Sequence, residues 1–362
     1  MSRLILQGKR LKGMRGRRGR EIYDKLSYSF IEIIEKIQGT TGLPTITSLA
    51  EDMGLHVSTL WRRVKTLHES NVVFMADINY SGLGIKRMLV LSKNLRKGKR
   101  YDSPFLELEA PLIPKGVLLQ YAVPADKMQS VIESLSKEEV EGDIYVFDNY
   151  YHSKPNLRAY YDVLDRTVKP RWDYLLETVK ASEFQRIVTP KRRIKYDEID
   201  LFILEQIESN PFLSMREIAS RLQEAVSKGR WKIEPEYSNV TYSRVRRHFL
   251  NHIIGRGMVT GVHIKLSHRP ENLDIVLLYK THSQAAHRIS SALAEHPYTD
   301  YALSDEDGTT GLAWVSVPPQ EIRGLLDLLD TLQKEGIVLE WEGYIVDKYN
   351  VSRRKISYRN YL

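Results

Sequence analysis

Ser58, Trp61, Arg62, Lys65 and Thr66 share one side of a helix-like stretch within TSLAEDMGLHVSTLWRRVKTLHESNVV, residues 47–73. At 100° per residue they lie opposite an apolar stripe of Leu60, Val64 and Leu67. Hydroxyls, a planar aromatic and two cations on one outward face suit the reading of a DNA major groove. A guanidinium forks onto a guanine edge, and hydroxyls reach bases or phosphates. Trp61 borders the apolar stripe, so packing and groove contact both stay open for it. A second such face recurs in VTYSRVRRHFLNHIIGRGMV, where Ser243, Arg244, Arg247 and Asn251 point outward and Val245, Phe249 and Ile253 inward.

The elements that must hold these faces can be read around them. Leu49, Ala50 and Met53 mark a helix before the first face, and Gly54-Leu55-His56 supplies the turn, glycine tolerating positive φ. Upstream, a helix over Tyr23 to Ile37 turns Leu26, Phe30, Ile33, Ile34 and Ile37 inward. Thr45 caps the next one. Downstream, Val72 to Ile78 reads as a strand, and Tyr80 to Gly84 turns the chain into another over Lys86 to Ser92. Three helices and a strand form a winged helix-turn-helix.

The plan repeats. Tyr196-Asp197 answers Tyr23-Asp24, and Ile199, Ile203 and Ile207 keep the phase of Leu26, Phe30 and Ile34. Ser214 and Glu217 form a capping box before Ile218-Ala219, and Met258-Val259 aligns with Val72-Val73. The second copy differs in a basic insertion, Gln223 to Tyr237, and in a recognition helix about one residue longer. After it come strand 273–280, helix 284–295, strand 299–304, strand 311–317, helix 320–336 and strand 338–346, a βαββαβ order of the ferredoxin-like kind. After the first copy the same plan is worn. It has strands at 87–91, 117–123 and 143–150, a helix at 125–136, and a first helix shrunken to the region of 102–108. Asn156 to Ala181 reads as a polar helical connector kinked at Pro170, and it leads into the basic Lys191, Arg192, Arg193 and Lys195.

The expected fold class is therefore α+β, two winged helix-turn-helix domains each followed by a ferredoxin-like domain. The expected divisions are a basic arm at 1–22, winged helices at 23–82 and 196–268, and ferredoxin-like domains at 83–153 and 269–349. A connector at 154–195 and a basic tail at 350–362 complete them.

This arrangement resembles the Lrp/AsnC family of leucine-responsive transcription regulators. The residues that carry the resemblance are Asp197-Glu198-Ile199-Asp200 with Ile203-Leu204, Arg216-Glu217-Ile218-Ala219, Thr59 through Leu67, and Asn71-Val72-Val73. The order of domains is its stronger part. Family members are usually single units that dimerise, so the resemblance implies a covalent pseudo-dimer. The family holds amino acids near the turn between the second and third strands of its ligand domain. That turn maps loosely onto Asp305, Asp307 and Thr310 as effector-binding residues, although an acidic hairpin is also an ordinary solvated turn.

Composition bounds the rest. The chain has 362 residues, no cysteine and a formal net charge of +8. The absence of cysteine excludes disulfides, thiolate zinc sites and cysteine nucleophiles. Arg3, Lys9, Arg10, Lys12, Arg15, Arg17, Arg18 and Arg20 lie in the first twenty residues with no acid, so that arm supplies the whole excess charge. Beside a helix-turn-helix, Arg15, Arg17, Arg18 and Arg20, with Arg192 and Arg193 before the second copy, are expected to track phosphates. With no apolar signal core or membrane span, a cytoplasmic, nucleoid-associated location is expected. The richness in Arg and Tyr would suit a thermophilic archaeon.

The expected function is a sequence-specific regulator of double-stranded DNA that reads two unlike half-sites. Alternatives are an architectural chromatin-type protein and an amino-acid sensor, and a homodimer stays open. No phosphate-cradling glycine loop or paired-histidine motif around a glutamate is present. No catalytic residue, cofactor or metal is assigned, and the chain is not expected to be an enzyme. His248 and His252 have the spacing for shared metal ligation, but with no third ligand evident they are read as structural.

Overall fold

The computed structural model describes residues 26–70, 72–92, 103–137, 141–181, 193–233, 240–266, 270–355 and 357–362. The arm residues Arg15, Arg17, Arg18 and Arg20, and Arg192, lie outside them. The first helical unit is α1 (Tyr28–Gln38), α2 (Ile46–Asp52) and α3 (Val57–Glu69). Thr45 and Ser48 cap α2 reciprocally. Gly54, at φ +62°, makes the turn into α3, where His56 accepts the Ser58 amide. Leu60, Val64 and Leu67 are buried on α3. Ile31 of α1 is buried as well, a core position beyond those the stripe named.

Strand β1 (Val72–Ile78) leaves this unit and enters a sheet system of two halves. The first half contributes β2 (Ile85–Ser92), β3 (Leu106–Ile113), β4 (Val117–Pro124), α4 (Met128–Lys137), β5 (Asp143–Phe147) and β6 (Asn149–His152). Leu106 to Leu108 belong to β3, so the shrunken helix expected there is not formed. The strand expected at 143–150 is two strands, β5 and β6.

The connector departs from expectation more strongly. It holds only α5 (Leu157–Tyr160) before a hairpin of β7 (Tyr161–Asp162) and β8 (Thr167–Val168), and α6 (Trp172–Ala181) follows. The Asp162 carboxylate accepts the Leu164 and Asp165 amides at 2.9 and 3.0 Å, local bonding that competes with a helix.

The second helical unit is α7 (Glu198–Glu208), α8 (Met215–Ser227) and α9 (Tyr242–His248), and α9 runs on into a π-helical turn, Phe249–Ile254. Gln223 to Ser227 of the expected insertion simply extend α8. Then come β9 (Val259–Leu266), β10 (Leu273–Thr281), α10 (Ala285–Ala294), β11 (Thr299–Ser304), β12 (Thr310–Val317), α11 (Ile322–Lys334), β13 (Val338–Val346) and β14 (Ser352–Arg353).

The strands form a large, mostly antiparallel system in the order β5-β2-β4-β3-β13-β10-β12-β11-β6, with β14 on β3. Each half runs fourth strand, first, third, second, and the halves join through β3 and β13 rather than standing as separate sheets. The closing strands cross over reciprocally: β6 of the first half pairs with β11 of the second, and β14 of the second with β3 of the first. Apart from this sheet, β1 pairs antiparallel with β9, Ala76 opposite Val262. Both strands feed both helical cores, since Val262 and Ile264 pack with α1–α3 while Ala76 and Ile78 pack with α7–α9. Among the described residues no helix is long and apolar enough to cross a membrane.

Candidate functional site

The crossover of β6 puts its residues beside the β1–β9 ribbon. Asp77 of β1, His263 of β9 and His152 of β6 come from distant parts of the chain, yet one ligand atom of each lies within 4.8 Å of the others. The imidazoles of His152 and His263 stack with centroids 4.0 Å apart. His152 Nε2 stands 3.4 Å from Asp77 Oδ1, too far for a well-formed hydrogen bond, and Lys154 donates to Asp77 Oδ2. Two buried ring nitrogens, His152 Nε2 and His263 Nδ1, have no hydrogen-bond partner. Such orphans are uncommon, because an unpaired buried polar atom costs about 1–3 kcal/mol.

The cluster opens on a cavity of about 470 Å³, walled by Asp77 to Ser81, by Asn149 to His152 and Lys154, and by residues of α10. Its aromatic wall is stiffened from behind. Arg87, almost fully buried, lies 4.1 Å from the Tyr80 ring centroid and 5.0 Å from that of Tyr150, and its Nε is 3.1 Å from Glu107. The Tyr80 hydroxyl donates to Glu208 at the end of α7.

Electrostatics set the protonation states. Burial pushes His152 down to about 4, helped by the Lys154 charge and opposed by Asp77. Burial and the neighbouring His152 hold His263 well below the usual histidine range. Burial alone would raise the Asp77 carboxyl, but His152 and Lys154 together bring it to about 2. At neutral pH the site therefore presents two neutral imidazoles beside an ionised carboxylate and an ammonium. Neutral imidazoles next to a charge pair can bind a cation or move a proton.

The residues singled out from sequence lie elsewhere. Ser58, Arg62 and Lys65 are exposed on α3 and Trp61 is 52 % exposed. Arg62 Nε donates to the Ser58 carbonyl at 3.3 Å, and Lys65 lies 3.7 Å from Glu69. Ser243, Arg247 and Asn251 are exposed and Arg244 is half-buried. Arg193 is engaged within the fold, donating to the Leu83 carbonyl and the Tyr196 hydroxyl and lying 3.4 Å from Asp126. Asp305 is consumed by its own turn, its carboxylate accepting from the Thr309 and Thr310 amides and the Thr309 hydroxyl. Asp307 is exposed and Thr310 half-buried. The tail packs back on the second helical unit, with Tyr358 and Tyr361 buried and Arg359 over the Trp231 ring.

Sequence reasoning missed Asp77, His152, His263 and Lys154. One signal was available: aligning Val72 with Met258 makes Asp77 and His263 equivalent positions of the repeat. His152 carried no local signal. Beside His248 and His252 the fold places Asp200, whose Oδ1 is 2.9 Å from His248 Nδ1.

No protein-family model and no curated protein matches the sequence. Among solved structures, that of the siroheme decarboxylase NirDL matches at TM-score 0.50 and 14 % identity, over 92 % of this chain and 97 % of that one. The structure of NirDL in complex with an iron-uroporphyrin III analogue matches at the same TM-score and identity, over 91 % and 94 %. The expectation of a non-enzyme is thereby overturned, because the fold shared over nearly the whole chain is one on which a decarboxylase is built.

Proposed function

We propose that this chain is an enzyme whose active site is the cavity bordered by Asp77, His152 and Lys154. Its substrate is a planar, carboxylate-bearing macrocycle of the tetrapyrrole class, from which it removes carboxyl groups. The observation that carries this reading is the pair of buried, partnerless imidazole nitrogens behind a cavity with an ammonium at its edge. The volume falls within the range of small-molecule sites, roughly 300–1,000 Å³. Tyr80, Tyr150 and Tyr151 give the cavity an aromatic lining suited to a conjugated ring, and Lys154 offers charge to a carboxylate. NirDL, with the same fold, acts on siroheme, and its complex contains an iron-uroporphyrin III analogue.

The chemistry balances without an oxidant. The bond to the carboxylate carbon breaks, CO2 leaves, and the electron pair left on the adjacent carbon takes a proton. That proton comes from water, and the neutral His152 imidazole is the group assigned to relay it, one ring nitrogen taking up a proton as the other gives one up, while Lys154 and Asp77 hold the charge around it. Mixing the full chain with iron-uroporphyrin III should shift the macrocycle's visible absorption saturably, and Lys154→Ala should weaken that binding. A spectrum that stays unchanged at saturating protein would remove the substrate class from consideration.

A second reading rests on the exposure of Trp61 beside Arg62 and Lys65. In it the helical units, copies from a tandem duplication with the Lrp/AsnC order of domains, bind double-stranded DNA sequence-specifically as a fused pseudo-dimer. The antiparallel ribbon centred on Ala76 and Val262, equivalent positions of the repeat, supports such a two-fold plan. Half-sites would then lie about 34–36 Å apart or at multiples of that spacing. Competition of a bound genomic fragment against unrelated DNA tests it, a specificity ratio near unity leaving only architectural binding. The two readings are compatible, a catalytic cavity and a DNA-binding face occupying different surfaces.

A further inference from the structure

The second recognition helix differs from the first on its inner side as well as its outer one. Its extra residue is absorbed as the π turn Phe249–Ile254 immediately after His248. Such turns recur at functional sites because the wider i→i+5 bonding re-aims side chains. Here His248 and His252 are aimed at one carboxylate. His248 Nδ1 lies 2.9 Å from Asp200 Oδ1, and His252 Nδ1 lies 3.0 and 2.9 Å from Asp200 Oδ1 and Oδ2.

Asp200, in the first turn of α7, is fully buried. One turn earlier, Asp197 spends Oδ1 on the Ile199 and Asp200 amides and directs Oδ2 to within 3.4 Å of His248 Nδ1. One donor atom from each of the four residues lies within 4.8 Å of the others. Zinc bonded to nitrogen and oxygen at about 2.0–2.1 Å in a tetrahedron separates neighbouring ligand atoms by roughly 3.3 Å. The spacings of 2.9 to 3.4 Å at this site suit that arrangement.

Charge points the same way. A buried carboxylate with a second beside it calls for a cation, and two imidazoles with two carboxylates form a donor set suited to zinc. Asp197 and His252 are partly exposed, which leaves a path for the ion.

We propose that Asp197, Asp200, His248 and His252 bind one divalent transition-metal ion, with zinc the best fit, and that the ion staples the start of α7 to α9. The outer side of that same helix carries Arg247 and Asn251. Metal supply would therefore set how firmly this exposed face is held. The cluster is distinct from Asp77, His152 and His263, so the proposal stands independently of the catalytic reading.

The test uses the full chain stripped with a chelator and titrated with Co2+ as a spectroscopic probe. The expected result is one equivalent of cobalt with the intense visible bands of a tetrahedral site, displaced by Zn2+. His252→Ala should weaken binding by more than the roughly 10–100-fold that loss of an outer-shell partner costs. Zn2+ should raise the melting temperature of the parent protein but not of His252→Ala. Asp197→Asn, at a partly exposed position, gives a second variant in case the first folds poorly, and it should also weaken binding. His152→Ala serves as the control and should leave the stoichiometry at one. No cobalt retained, retention unchanged in both ligand variants, or retention lost in His152→Ala instead would each overturn the proposal.

Discussion

The two crossing strands bring very different chemistry to equivalent places. Where β6 crosses onto β11, it sets His152 and Lys154 against Asp77 and His263, leaving two ring nitrogens unpaired and a cavity in front of them. Where β14 crosses onto β3, Arg353 lies 5.4 Å from the Trp314 ring centroid and 3.8 Å from Asp300, which Lys265 approaches to 3.6 Å. Two cations share one carboxylate there, and no histidine takes part in these contacts. Shared pairing rules thus leave unpaired titratable nitrogens at the β6 crossing, whereas the unpaired buried atom beside the β14 crossing is the non-titrating Trp314 Nε1. Unsatisfied buried groups cost stability, and they are tolerated most readily where a ligand completes them.

Substitutions at the two ends sharpen this contrast. The largest effect is expected for His152→Ala, which should lower decarboxylation turnover by about 10²–10⁴-fold if His152 delivers the proton, with an unchanged circular dichroism spectrum. Next come the residues proposed to read DNA. Arg62→Ala and Arg247→Ala should each weaken specific binding by about 1–3 kcal/mol and relax preference at one base pair, as read by fluorescence anisotropy on a set of single-site DNA variants. Neither should change turnover.

Lys154→Ala leaves Asp77 nearly buried without its ammonium. Removing one partner of a fully buried pair costs roughly 3–5 kcal/mol, but Lys154 is partly solvated, so about 1–2 kcal/mol is expected in urea unfolding at neutral pH. At the other end, Arg353→Ala should cost at most about 1 kcal/mol and leave turnover intact. A comparable loss of turnover from Arg353→Ala would erase the distinction between the ends.

Acid supplies a smaller and graded test. Because His152 is held at about 4 in the folded chain against an ordinary 6.5, the unfolded chain takes up the proton first. Its contribution to stability is therefore whole above pH 6.5, declines as the pH falls towards 4, and is gone below. His152→Ala should flatten the fall in urea midpoint across that window. Asp77, held at about 2 against 3.8, contributes its loss only at lower pH, so the two are separable.

How much was visible beforehand differs between these regions. The helix α3 of the first unit was legible because one helix holds both the apolar stripe and its opposite face. Leu60, Val64 and Leu67 are buried and Arg62 and Lys65 exposed, as periodicity requires. The added residue between Phe249 and Ile253, against Val64 and Leu67 in α3, was also legible, although not its consequence, and the second helix with its π turn ends no longer than α3. One added residue becomes a π turn, and that turn needs Asp200 from another helix before its meaning is clear.

The cavity was not legible because its residues come from β1, β6 and β9, and only strand pairing brings them together. A search for contiguous catalytic motifs finds nothing in such a site, which is why a non-enzyme was expected. The connector failed for a local reason. Asp162 closes a side-chain turn on Leu164 and Asp165, and hydropathy pattern does not register that bond.

The most direct test of the catalytic account is release of CO2 from iron-uroporphyrin III by the full chain, with the macrocycle's mass followed in parallel. The account predicts saturable CO2 release by the parent protein, matched by loss of carboxyl groups from the macrocycle and almost absent in His152→Ala. Equal release by the parent and by His152→Ala, or a macrocycle bound with no change in its mass, would contradict it.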